Sequence, residues 1–146
     1  MWTMPVTATE EERVLGRGLV RSEGARNGCV VVVGGSRETR RAISDAVELR
    51  QSCVLECRLK DKIAANGVTA IVWDTTSQSA GDPEQVALLK ARFHDAPILA
   101  LVTFPRRHDV QKIIAAGVDG VLAKPWLIDD LLAQIEQLAE RRVAVG

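Results

Sequence analysis

Residues 29–36 read CVVVVGGS. Four consecutive valines have no polar alternation, which marks a strand buried on both faces. Gly34 and Gly35 break the run, and Ser36 is placed to cap a helix over RETRRAISDAVELRQ (37–51). Ala42, Ile43, Ala46 and Val47 give that helix one apolar stripe. A buried strand, a glycine turn and an amphipathic helix form the opening half of a parallel β-α-β unit.

Downstream, the pattern repeats. CVLECRL (53–59) is a second strand, followed by a short helix in KDKIAANG (60–67) with Gly67 as its stop. VTAIVW (68–73) is a third strand closing on Asp74, and TTSQSAG (75–81) reads as a polar loop. Asp82 and Pro83 are a cap and a first helical residue, and Val86, Leu89, Lys90 and Phe93 carry that helix onward. PILALV (97–102) is a fourth strand closing on Thr103, and the next helix is expected to bury Val110, Ile113 and Ile114 before Gly117. GVLA (120–123) is a fifth strand running into Lys124-Pro125. The last helix has Ile128, Leu131, Leu132, Ile135 and Leu138 on one face, with Asp129 and Asp130 at its positive end. Strands alternating with helices predict a doubly wound five-stranded parallel α/β sheet, order 2-1-3-4-5. The folded domain is expected over 28–146. Residues 1–27, rich in chain breakers, read as a tail or linker with a short helix at 10–15 capped by Thr9 and Glu12.

Bulk properties narrow the function. One domain accounts for 146 residues, and nineteen basic against nineteen acidic side chains give no net charge. A nucleic-acid partner is therefore not expected. No apolar run approaches the roughly 20 residues that span a bilayer, and no signal-peptide pattern opens the chain, so no membrane association and a cytoplasmic setting are expected. Cys29, Cys53 and Cys57 fit a reducing compartment without a disulfide framework. Cys53 and Cys57 lie about 13 Å apart along one strand, too far to share a zinc ion or a bridge.

Ligands on such sheets bind beyond the carboxyl ends of the strands. The expected rim carries Gly34-Gly35, Asp74, Thr103 and Lys124. A phosphoryl group on Asp74 would be neutralised by Lys124 and accept a hydrogen bond from Thr103. Over 28–142 the pattern resembles the response-regulator receiver domain. AIVWD ends on the aspartate, LALVT on the hydroxyl, and AAGVDGVLAKPW (115–126) carries the lysine–proline pair. The resemblance implies that Asp74 is the phosphoacceptor, that Thr103 and Lys124 sense the phosphoryl group, and that the bond before Pro125 is cis. It also implies a histidine kinase or another signalling protein as partner, and a switch rather than an enzyme. Trp126 follows the pair, as an aromatic often does there, and is a candidate for the interaction face with the fourth helix, fifth strand and fifth helix. Self-association as a homodimer is a further route of action.

Three departures set the chain apart from that family. Its usual acidic pair, which holds Mg2+, is replaced by Gly34-Gly35, so Mg2+ is expected to bind poorly and no cofactor is expected. Lys124 is then expected to pair directly with Asp74, with Glu38 a remote candidate to reach back. Val121 stands where the family has its switch aromatic, and the family's Met-Pro is missing after the aspartate. The expectation is an atypical, degenerate receiver acting by protein–protein contact. Two alternatives are a constitutive assembly pseudo-receiver and an anion- or nucleotide-binding domain using the Gly34-Gly35-Ser36 turn. That turn matches neither a dinucleotide nor a P-loop motif. His94 and His108 read as surface side chains.

Overall fold

The computed structural model describes residues 28–50, 53–61, 63 and 65–145, the side chains only as far as 141. The tail over 1–27, its short helix at 10–15 and the boundary between tail and domain lie outside these residues.

The strands are β1 (Cys29–Gly34), β2 (Val54–Cys57), β3 (Val68–Asp74), β4 (Ile98–Thr103) and β5 (Gly120–Lys124). The helices are α1 (Arg37–Val47), α2 (Ser77–Ala80), α3 (Pro83–Arg92), α4 (Arg107–Ala115) and α5 (Ile128–Val145). All strands pair in parallel, in the order β2-β1-β3-β4-β5. This is the doubly wound sheet that the buried valine run and its successors require.

Side-chain alternation splits the core in two. Val31, Val33, Ile71, Trp73, Ile98 and Ala100 point to the face covered by α3 and α4. Val30, Val32, Ala70, Val72, Leu99 and Leu101 point to the face covered by α1 and α5. Each valine of β1 is fully buried, which at about 1.5–3 kcal/mol per aliphatic side chain makes this strand the anchor of the fold. Caps hold the helix starts: Ser36 Oγ accepts from Thr39 N at 3.0 Å, and Asp82 Oδ1 accepts from Glu84 N at 3.0 Å.

Four local expectations are corrected. First, no helix forms over 60–67 among the described residues. The Asp61 carboxylate turns back to accept from Arg58 N at 2.8 Å, and this local bond competes with helix formation. Second, the expected loop 75–81 contains α2, because Thr76 Oγ1 caps it by accepting from Ser79 N at 3.1 Å. Third, Ala42, Ile114 and Ile128 face solvent. In α4 only Ile113 is buried, because its neighbour lies about 100° further round the helix.

Fourth, the cysteine expectation fails for one pair. Cys29 and Cys53 are joined by a disulfide, their Cα atoms 4.6 Å apart. The β1–β2 register sets Val30 opposite Val54, which puts the preceding residues side by side at the amino end of the sheet. Cys57, at the other end of β2, remains a free buried thiol.

Candidate functional site

Asp74 ends β3 in register with Gly34 of β1 and Leu101 of β4, so its carboxylate stands at the centre of the carboxyl rim. It is only 7% exposed. Lys124 ends β5, two strands away, and its stem crosses the end of β4 to reach the acid. Nζ donates to Asp74 Oδ1 at 2.5 Å and to the Thr75 carbonyl at 3.4 Å. Removing either partner alone would leave the other charge buried and uncompensated.

The glycine pair shapes the other side of the acid. Gly34 and Gly35 have φ of +84° and +68°, the left-handed region that disfavours a side chain. A Cβ on Gly35 would overlap Asp74 Oδ2, and one on Gly34 would meet the Asp74 carbonyl oxygen. The carboxylate thus rests on bare backbone, in the space where a side chain at position 35 would begin.

Arg40, one turn into α1, completes this corner. Its Nη1 donates to Gly35 O at 2.9 Å and Gly34 O at 3.3 Å. These carbonyls are the only oxygen ligands the pair could offer a metal, and a cation already holds both. Glu38 is exposed in the first turn of α1. The residues present therefore do not fit the Mg2+ site of a receiver: one carboxylate faces the rim, and it is bonded to a lysine. No group of three or more potential ligands clusters among the described residues.

Thr103 pairs in register with Lys124, but its exposed hydroxyl makes no hydrogen bond to Asp74. The Lys124–Pro125 peptide is cis. Val121 is partly buried against the core under α3 and α4. Trp126 is half-buried, packed on the core under α1 and α5, whereas its neighbour Leu127 is 70% exposed. His94 and His108 lie at the surface. The sequence reading missed Arg40 and Phe104. Phe104 follows Thr103 with φ of +42° and 77% exposure, an uncommon conformation for a bulky residue. A phenylalanine wedged between the strand end and Pro105 was its one sequence signal.

A second group of titratable residues lies at the end of β2. Burial, aided by the charge of Asp61, pushes the Cys57 thiol up to about 12 despite the opposing charges of Arg92 and Arg40. Desolvation would raise the Asp61 carboxyl. Hydrogen bonds from the Arg58 backbone and side chain, with the charges of Arg58 and Arg40, outweigh it and hold the group below its ordinary value.

The sequence matches no protein-family model and no curated protein. Solved structures do resemble it. A Burkholderia pseudomallei protein described as pilus assembly-related superposes with a TM-score of 0.64 at 14% identity, over 86% of this chain and 96% of that one. A protein of Sinorhizobium meliloti described as the pilus assembly protein CpaE2 gives 0.59 at 18% identity, over 75% and 98%. A Burkholderia pseudomallei response regulator, solved with a phosphorylated aspartic acid and a calcium ion, gives 0.60 at 21% identity, over 80% and 71%. At such identities the likeness establishes the fold, and the fold is that of a receiver domain. Among the described residues no helix is long and apolar enough to cross a membrane.

Proposed function

We propose that this chain is an atypical receiver-like signalling module of the two-component type, non-enzymatic, that acts by contact with other proteins. Its rim is held in one state. The observation that carries this reading is the closed Asp74 corner, with the carboxylate seated on Gly35 and bonded to Lys124. Asp74 remains the only candidate phosphoacceptor, and Thr103 and Lys124 the groups that would sense a phosphoryl group. That group would first have to break the existing ion pair, without Mg2+ to compensate. A two-state response needs contacts that differ between states, and Val121 offers no large ring to move. The partners are a histidine kinase or another signalling protein, or a second copy of the chain. Neither nucleic acid nor membrane is among them. The contact face is formed by α4, β5 and α5, where Leu127, next to Trp126, and Phe104, after β4, supply exposed apolar surface.

A constitutive assembly role is the second reading. It is favoured by the same closed corner and by the likeness to structures described as pilus assembly proteins.

The test is incubation with acetyl phosphate and Mg2+, followed by intact mass measurement, alongside self-association and partner pull-down. No phosphoryl adduct is expected, and Asp74→Asn should bind as the unmodified chain does, while Leu127→Asp loses binding. A stable adduct whose formation changes binding would show a working phosphorylation switch instead.

A further inference from the structure

The described residues between β2 and β3 form no helix, and the sheet face beside α3 is open there. A cleft of about 520 Å³ opens there, between the ends of β1 and β2 and the last two turns of α3. One wall is the bare backbone of Gly34 and Gly35, which lets a ligand approach the main chain closely. Leu59 and Leu88 supply an apolar patch, and Leu88 is more than half exposed.

The rest of the lining is cationic. Arg58 and Lys60 follow β2, and Arg92 ends α3. Arg58 is engaged by Asp61, at 3.1 Å from Nη2 to Oδ1. Lys60 and Arg92 make no ion pair among the described residues. Nη1 of Arg92 is buried without a hydrogen-bond partner, so its desolvation is left uncompensated. Arg40 holds the glycine carbonyls at the same corner. Three cations thus line the cleft, and one of them, Arg58, is already paired with Asp61.

We propose that this cleft binds a small phosphorylated molecule with an apolar ring, the chemistry of a mononucleotide. The phosphate lies against Arg92 and Lys60, whose N–H groups donate to its oxygens, and the ring covers Leu88 and Leu59. A bare phosphate would leave the leucines in water, and an uncharged ring would leave the Lys60 ammonium without a counter-charge. Neither Asp74 nor Lys124 lines the cleft, although Gly34 and Gly35 border both, and binding is measured without any phosphodonor, so the result is read apart from the phosphorylation test.

Isothermal titration of the full chain with AMP, ribose 5-phosphate and inorganic phosphate tests this. AMP should bind saturably and at least about tenfold more tightly than either fragment. Leu88→Glu, a surface change that adds a negative charge, should abolish binding. Leu88→Lys at the same position should keep phosphate affinity while losing the preference for AMP. Lys60→Ala and Arg92→Met should each weaken AMP by about tenfold or more. The proposal is overturned if none of the three ligands saturates at millimolar concentration. It is overturned equally if phosphate binds as tightly as AMP, or if Leu88→Glu and Leu88→Lys behave alike.

Discussion

Replacing Gly35 by alanine should cost far more stability than the same change at Gly67, although both glycines have nearly the same backbone conformation. Their φ values are +68° and +73°. At Gly67 nothing lies within 4 Å of the added Cβ, so only backbone strain remains, about 1–2 kcal/mol. Restricting the unfolded chain returns about 0.4–1 kcal/mol, for a net loss of about 1 kcal/mol. At Gly35 the Cβ also overlaps Asp74 Oδ2, and the carboxylate must move away from Lys124. Losing that charge-assisted hydrogen bond adds about 1.5–3 kcal/mol, so Gly35→Ala should cost about 3 kcal/mol in all. For a domain of this size the difference between the two variants corresponds to roughly 8 °C in Tm. Urea denaturation with a constant m-value gives the comparison directly. Asp74→Ala supplies the third arm, because it removes the atom that the new Cβ strikes. The Gly35→Ala/Asp74→Ala double variant should then lose about 2 kcal/mol less than the sum of its singles. Equal costs at Gly35 and Gly67, together with additivity in the cycle, would mean that the carboxylate does not rest on the glycine turn.

Two further outcomes follow from the cysteines. The Cys57 thiol is raised from 9.0 to about 12, so the folded state holds its proton where the unfolded chain has released it. The associated stability is complete below about pH 9 and declines above it, by up to about 1.4 kcal/mol per pH unit until about pH 12. Cys57→Val should flatten this alkaline limb in denaturation curves, and an unchanged limb would assign it to other groups. The Cys29–Cys53 bridge joins positions 24 apart in sequence, so Cys29→Ser/Cys53→Ser should cost about 3 kcal/mol under non-reducing conditions. Reductant should lower the wild type to the level of the variant, and a wild type indifferent to reductant would show that the bond does not hold the sheet.

The sheet was legible because it is written in buried β-branched runs, and the ends of those runs named Asp74, Thr103 and Lys124 before any geometry was known. The Asp74–Lys124 pair followed from opposite charges on one rim without carboxylates to divide the lysine. The region that escaped the sequence reading is where local bonds outweigh periodicity. KDKIAANG offers only Ile63 and two alanines to hold a helix against the sheet, and the Asp61 carboxylate instead closes a turn on Arg58. Arg40 stands in RETRR among arginines of equal appearance, and only the glycine turn selects it. Likewise the spacing of Cys29 and Cys53 conveys nothing until the β1–β2 register brings them together.

The glycine pair links the two features of this rim. In a receiver, acidic side chains after the first strand would face the phosphorylated aspartate across a metal ion. Here the same positions have no side chains, so the Asp74 carboxylate settles on the turn and finds its counter-charge in Lys124. The glycine carbonyls are left to Arg40, whose charge would oppose any divalent cation at the turn. On the far side of that backbone Lys60 and the partly buried Arg92 line the cleft, with Asp61 already committed to Arg58. At this rim the Asp74 carboxylate is therefore neutralised by Lys124, with cationic side chains lining the cleft beside the glycine turn. Under the proposed anion site, a bound phosphate would sit beside Asp74, and a phosphoryl group on Asp74 itself would first have to displace Lys124.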